Sequence, residues 1–268
     1  MIELTYPTGQ VVNFLRDSDG VIEQITTDAE DIPGLKVVDQ VRVNATGQTT
    51  SLLMGNGVSL QRTYAEDGRL LSQSATPALM DLSLDHDANG NVVTRTLPGF
   101  NASYGYDALD RLNSEASPAW TSSLGHDANG NRTSDGSGSK TYTPNSDRLS
   151  TINGQSVTLD AAGNTLRSGP YVYTWNQAGQ LKTVSRGSSL LATYFYDHRG
   201  LRTRRITTAQ AQEGVTNTVY HHDEDGRLIA ETWAEFPSPK RSYVWRDDVP
   251  QAKQRRRRSE HLPRSALC

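Results

Sequence analysis

Hydrophobic and polar residues alternate with a period of two along most of the chain. The alternation is clear in YVYTW (171–175) and continues in ATYFYD (192–197). Alternation over four to eight residues is typical of half-buried β-strands. No segment holds a 3.6-residue apolar stripe over three turns. The pattern therefore predicts an all-β fold of many short strands.

A short motif recurs between these strands and has the composition of a tight turn. It consists of an aromatic residue or His, then Asp, two variable residues, Gly, a polar residue and often Leu. Its copies are YAEDGRL (64–70), HDANGN (86–91), YDALDRL (106–112), HDANGN (126–131), LDAAGN (159–164), WNQAGQL (175–181), YDHRGLR (196–202) and HDEDGRL (222–228), with RDSDGVI (16–22) as a weaker copy and YTPNSDRL (142–149) as a copy with an insertion.

The spacing of these copies indicates a regular unit. The Gly, or the residue that replaces it, falls at positions 68, 90, 110, 130, 147, 163, 179, 200 and 226. Steps of roughly 20 residues hold two short strands and two turns. A unit this short cannot bury its own apolar face, so the units must stack on one another.

Each motif position has a predicted role in a hairpin. The aromatic residue ends a strand and stacks on its equivalent, the Asp side chain binds turn amides, Gly takes a positive φ, and Leu begins the return strand facing inward. Asp110 stands where Gly is expected, which predicts a strained turn or another turn type. The assigned repeat positions are Tyr64, Gly68, Asp87, Gly90, Tyr106, Asp107, Leu112, Asp127, Gly130, Asp160, Gly163, Trp175, Gly179, Leu181, Tyr196, Asp197, Gly200, Asp223, Gly226 and Leu228.

Ion-binding interpretations of the same residues are weaker. The stretch from Asp85 to Gly90 resembles the start of a calcium loop, but Thr96 occupies the position of the bidentate Glu. The pairs His86–Asp87, His126–Asp127 and His222–Asp223 are consecutive, so their side chains point to opposite faces of a strand. We therefore expect no metal, no cofactor and no catalytic residue.

Composition and charge add limits. Apolar residues make up 35% of the 268 residues, and Gly and Pro together number 33. Residues 251–268 carry six basic residues and one acidic residue, which leaves 21 basic and 29 acidic residues in residues 1–250, a net charge of −8. This acidic body does not favour nucleic-acid binding. The chain has no run of 18 apolar residues, and its start shows no secretory signal.

The motifs resemble the YD repeats of Rhs proteins, which also occur in toxin-complex C subunits and teneurins. RSYVWRDDVP (241–250) is similar to the end of the Rhs core. The resemblance implies a β-hairpin ribbon that curves or spirals as part of a hollow shell. It divides the chain into a weak or degenerate repeat region (1–59), a YD-repeat ribbon (60–250) and a basic, disordered tail (251–268).

The resemblance also implies a function. In bacterial members the shell encloses a variable C-terminal toxin, so we expect a non-enzymatic structural protein whose partners are other core segments or a toxin domain. The chain departs from the family after Pro250, where QAKQRRRRSEHLPRSALC replaces the expected core end, and this break predicts a truncated fragment produced by a frameshift or premature stop.

Location and an alternative function follow from the same resemblance. We expect the protein to stay in the cytoplasm until a specialised bacterial secretion system exports it, or to reach the cell surface within a larger protein. The alternative is a carbohydrate-binding adhesion module in which exposed aromatic rings stack on sugars. A fragment would also expose sheet edges, which predicts self-association.

Overall fold

The computed structural model describes residues 1–28, 34–77, 80–235, 239–246 and 249–255, with no side chains described for residue 239 or beyond 246. These residues form 26 β-strands, all paired with their neighbours in antiparallel fashion. This confirms the predicted all-β hairpin ribbon. Within the described residues no helix is long and apolar enough to cross a membrane.

The strands follow one another in two sheets whose order is the order of the sequence. The first sheet contains β1 (Ile2–Thr5), β2 (Val11–Arg16), β3 (Ile22–Thr27), β4 (Leu35–Val43), β5 (Thr49–Met54), β6 (Ser59–Tyr64), β7 (Leu70–Thr76), β8 (Met80–His86), β9 (Val92–Leu97), β10 (Phe100–Tyr106), β11 (Leu112–Ala116) and β12 (Thr121–Ser123). The second sheet contains β13 (Gly125–His126), β14 (Arg132–Asp135), β15 (Gly138–Tyr142), β16 (Leu149–Ile152), β17 (Gln155–Leu159), β18 (Thr165–Ser168), β19 (Tyr171–Trp175), β20 (Leu181–Arg186), β21 (Ser189–Tyr196), β22 (Arg202–Thr207), β23 (Thr216–His222), β24 (Leu228–Trp233), β25 (Pro239–Arg246) and β26 (Val249–Arg255).

A bulge at the motif aromatic breaks the pairing register of the repeat hairpins. In β19 and β20, Thr174 pairs with Thr183, but the next residue, Trp175, pairs with Leu181. Lys182 is the extra residue on the return strand. The same shift occurs at Tyr106 in the β10–β11 pair. A bulge increases the local twist and bends the bulged strand, so each repeat adds a bend at the same point.

The hydrophobic core lies at one end of the ribbon and draws on both ends of the chain. Val12, Ile25 and Val38 in the first strands are fully buried, and Val244 in β25 belongs to the same cluster. The middle strands lack such a core. In β8 the exposure alternates strictly between half-buried and exposed residues, so these strands keep one face in water.

The two ends of the chain also make polar contacts. The Tyr6 hydroxyl donates a hydrogen bond to the Tyr243 carbonyl over 2.7 Å, and the Arg246 guanidinium donates one to Thr49 Oγ1. Strand β26 pairs with β25, so residues 251–255 of the basic segment form a strand. Residues 256–268, the rest of the predicted tail, lie outside the described residues.

Candidate functional site

The repeat turns share one backbone geometry. In the turn at Asp87, its amide donates to the Asn91 carbonyl over 2.9 Å, and the Gly90 amide donates to the Asp87 carbonyl over 3.1 Å. Gly90 has φ +90, a conformation that residues with a Cβ adopt only under strain. The other repeat glycines take φ between +71 and +92: Gly68, Gly130, Gly163, Gly179, Gly200 and Gly226.

The motif Asp holds each turn from inside. Asp87 Oδ1 accepts hydrogen bonds from the amides of Asn89 and Asn91, both over 2.9 Å. The Asn91 side-chain amide donates to Asp87 Oδ2 and is the largest cause that lowers the pKa of Asp87, with desolvation opposing it. A carboxylate that accepts several N–H bonds stays ionised at lower pH.

The other motif aspartates repeat this arrangement. Each accepts a hydrogen bond through Oδ1 from the amide four residues on: Asp107, Asp127, Asp160, Asp197 and Asp223. The pKa of Asp127 is also lowered, chiefly by the side chain of Asn131. Asn176 takes the same place in the turn at Trp175, where its Oδ1 accepts from the Gln180 amide.

Two turns depart from the common sequence. Asp110 keeps the usual turn, because its amide donates to the Asp107 carbonyl over 3.0 Å, and it takes φ +56 in place of Gly. In the copy with an insertion, the spacing assigned position 147 to the residue that replaces Gly, and this assignment is wrong for the backbone. Asn145 takes the positive φ in this turn, because the extra residue moves the left-handed position toward the N-terminus.

Where the motif residue is Tyr or Trp, its side chain bonds the repeat before it. The Tyr106 hydroxyl donates to the Val92 carbonyl over 2.8 Å, which lies two residues beyond the Gly of the preceding turn. The same bond, to the same position, recurs from Tyr64 to Thr49, Tyr142 to Arg132, Trp175 to Thr165, Tyr196 to Leu181, and Trp245 to Leu228. We call this bond the aromatic latch.

The latch differs from the role predicted for the aromatic residue. The sequence predicted ring stacking, whereas the polar atom of Tyr or Trp bonds the neighbouring backbone. His at this position lacks that reach: His86 Nδ1 is buried and has no hydrogen-bond partner among the described residues. The return-strand leucines Leu112, Leu181 and Leu228 are half-buried at the first position of their strands.

The polar residue after Gly connects neighbouring turns, a role that the sequence did not reveal. Gln48 Nε2 donates to the Gly68 carbonyl over 2.8 Å, and Arg69 Nη1 donates to the Asp87 carbonyl over 3.1 Å. Further along, the same position reaches the next turn in the bonds from Asn91 to Asp110, Arg111 to Asp127, Asn131 to Asp147 and Arg148 to Asp160. We call this series the turn ladder. The polar residue after Gly in the motif could have indicated the turn ladder, since Arg, Asn and Gln are long enough to donate a hydrogen bond across a turn.

The carboxylates of the candidate calcium loop are engaged in hydrogen bonds within the protein. Asp85 accepts a hydrogen bond from Thr94 Oγ1, and Asp87 is occupied by turn amides, so the calcium interpretation has no converging ligands. No group of three or more His, Cys, Asp or Glu that could hold a metal occurs among the described residues.

The surface hollows are shallow. One of about 420 Å³ is lined by Asp85 and by Ser, Thr, Asn, Ala and Pro residues of β9 to β11 and the turn after β11. Another of about 550 Å³ lies beside Trp175 and Lys182. The exposed aromatic rings of the described residues do not form a row: Trp120 follows β11, while Tyr171 and Phe195 lie on opposite faces of the second sheet.

Comparison with known proteins gives both a family and a set of folds. Residues 35–258 match the family described as Teneurin YD-shell. No protein of curated function matches the sequence.

The solved structures that resemble the chain are much longer. TcdB2-TccC3-Cdc42 superposes with a TM-score of 0.73 at 19% identity, over 91% of this chain and 15% of that chain. The Tc holotoxin pore of Photorhabdus luminescens gives 0.72 at 19% identity, over 90% and 14%. TcdB2-TccC3 gives 0.71 at 19%, over 90% and 15%. At this identity the likeness shows a shared fold, and the chain spans 15% or less of each structure.

Proposed function

The chain belongs to the Teneurin YD-shell family, and from this premise we propose that it is a segment of a shell wall that encloses a C-terminal toxin used in bacterial competition. The observation that carries the proposal is the ladder of hairpins in strict sequence order. Every strand inside a sheet is hydrogen-bonded on both sides, so each of the two sheets makes a continuous barrier without a thick core.

The turn ladder and the aromatic latch support this role. Both connect neighbouring repeats, and all of the latch bonds and most of the ladder bonds end on backbone carbonyls, as in the bond from Tyr106 to Val92 and that from Arg69 to Asp87. Carbonyl acceptors are present whatever the side chain, so the contacts that end on them can repeat along the ribbon while the sequence varies. A long and uniform wall needs contacts between repeats that do not depend on the exact sequence.

The function as a barrier accounts for the shape of the surface. The hollows described above are open, and the polar side chains of the motif are engaged in turns. Trp175, which lines one of these hollows, donates its Nε1 hydrogen to the Thr165 carbonyl. We therefore place the wall role ahead of carbohydrate binding.

A chimaera tests the wall role. The repeats of TcdB2-TccC3 that superpose on this chain would be replaced by this chain, and the hypervariable C-terminal region would be probed with protease. A structure without that region is known, which provides the comparison for assembly. We expect the region to resist protease in the grafted complex to the same extent as in the unmodified complex digested in parallel.

The matched control carries the same graft with Gly90→Val and Gly130→Val, which strains two turns. We expect this control to lose protection, because the positive φ at both positions disfavours β-branched residues. Rapid digestion of the region in an assembled, unmutated graft would contradict the wall role.

A further inference from the structure

The last strands of the chain fill the core of the first strands. Val244 in β25 is 0% exposed and packs in the same cluster as Val12, Ile25 and Val38. Ile229 in β24 belongs to this cluster as well. More than 180 residues separate these partners in the sequence. Strands β5 to β7 and the turn before β6 add Leu52, Val58, Leu60 and Ala75, whereas no described residue between Met80 and Ile229 belongs to the cluster.

Two buried polar contacts accompany this packing. Tyr6, which is 2% exposed, donates its hydroxyl hydrogen to the Tyr243 carbonyl over 2.7 Å. Arg246 and Thr49 are also buried and are joined by a hydrogen bond. Buried polar groups are costly when unpaired, so these two bonds fix how β25 sits on the first sheet.

Strands β24 and β25 are themselves held together as a unit. The Tyr243 hydroxyl donates to Glu231 Oε1 over 2.5 Å, and Arg241 Nη1 lies 3.3 Å from Glu231 Oε2. Trp245 adds an aromatic latch to the Leu228 carbonyl over 2.8 Å. This internal bonding lets the pair act as one surface. We call residues 228–233 and 239–246 the closing hairpin.

We propose that the first sheet carries a docking surface for the closing hairpin, and that this contact holds β2 to β4 in place. The ribbon is then closed on itself by its own C-terminal strands. The inference goes beyond the wall role and does not depend on any enclosed cargo. It also identifies the partner of the apolar side chains Val12, Ile25 and Val38 as the chain itself.

Amide hydrogen exchange on the full chain tests the proposal. In Val244→Ala we expect the amides of β2 to β4 to exchange roughly tenfold faster than in the unmutated protein, the change that a loss of about 1.4 kcal/mol produces. The matched control is Val184→Ala, a half-buried valine in β20. It should speed exchange in its own neighbours and leave β2 to β4 unchanged.

A second variant keeps the test informative if Val244→Ala fails to fold. Tyr6→Phe removes one hydroxyl and no apolar volume, and it should also speed exchange in β24 and β25, which lie at the far end of the sequence. Unchanged exchange in β2 to β4 for a folded Val244→Ala overturns the proposal. If that variant does not fold, unchanged exchange in β25 for Tyr6→Phe overturns it.

Discussion

Two regions of this ribbon contain the same hairpins but are stabilised differently. The open region, residues 80–207, buries only Ala102, Leu124 and Ala192 among its described apolar side chains. The closed region, residues 1–64 together with the closing hairpin, holds the fully buried valines and isoleucine of the core. Turn geometry is common to both, as the turns ending at Gly9 and Gly163 show.

The difference separates local from long-range stabilisation. In the open region each repeat is held by its turn and its strand pairing and, where the motif residue is Tyr or Trp, by the aromatic latch. All of these involve adjacent repeats. In the closed region the same bonds are supplemented by contacts between the two ends of the chain. Repeat arrays are stabilised mainly by contacts between neighbouring repeats. The closed region is an exception, because its core joins repeats that are far apart in the sequence.

Introducing a charged side chain in each region should give the largest difference in stability loss between the two regions. Val244→Asp puts a carboxylate in a fully buried site, and we expect it to lower the free energy of unfolding by roughly 3 kcal/mol or more. Leu84→Asp affects a half-buried position on β8 and should cost about 1 kcal/mol. Urea unfolding measures both. Equal losses would contradict the division into two regions.

Alkaline pH is expected to weaken the closed region through the ionisation of Tyr6. Burial, with a smaller effect of the negative charge of Asp223, raises the pKa of Tyr6 from 10.0 to about 12. A folded pKa above the unfolded value means that the protonated form stabilises the fold. This stability is complete below pH 10 and is lost as pH rises through 12.

Tyrosinate absorbance and urea unfolding, both followed between pH 10 and pH 12, check this prediction. Tyr6→Phe should remove the latest ionising step and part of the alkaline loss of stability. Tyr171→Phe, which changes an exposed ring, serves as the control and should retain that step. A step that survives in Tyr6→Phe would show that the assignment is wrong.

Replacing a turn glycine should lower the free energy of unfolding by the same amount in both regions. A Cβ added to Gly9 or Gly163 would have no atom within 4 Å, and the φ values of these residues are +79 and +92. Replacement by Ala therefore costs only backbone strain, about 1 kcal/mol at each position. Chemical denaturation of Gly9→Ala and Gly163→Ala measures this cost. A clearly larger loss for one of them would mean that turns differ between regions.

The aromatic latch gives the smallest and most uniform effect. Tyr106→Phe in the open region and Tyr64→Phe, whose partner Thr49 lies in the closed region, each remove one hydrogen bond. We expect a loss of about 0.5 to 1 kcal/mol for either variant. Thermal unfolding compares them. The control Tyr171→Phe should change stability less than either, and a loss as large as theirs would contradict the latch.

The sequence predicted the repeat hairpins well because their causes are local. Alternation of polar and apolar residues gave the strands, and the Asp and Gly of each motif gave the turns. The YD motifs also identified the family. The aromatic latch and the turn ladder could not be read with the same certainty, because both depend on which atoms a bulge brings into reach.

The sequence by itself determined the all-β ribbon, its repeat length and its turns, since each follows from a few neighbouring residues. Only the tertiary structure decided that Val244 lies against Val12, Ile25 and Val38, and that Tyr6 bonds Tyr243. Contacts between residues so far apart depend on the bend that every intervening repeat adds. A small change in the bend of each repeat adds up over the ribbon and moves one end past the other. A local sequence pattern does not show this accumulated bend.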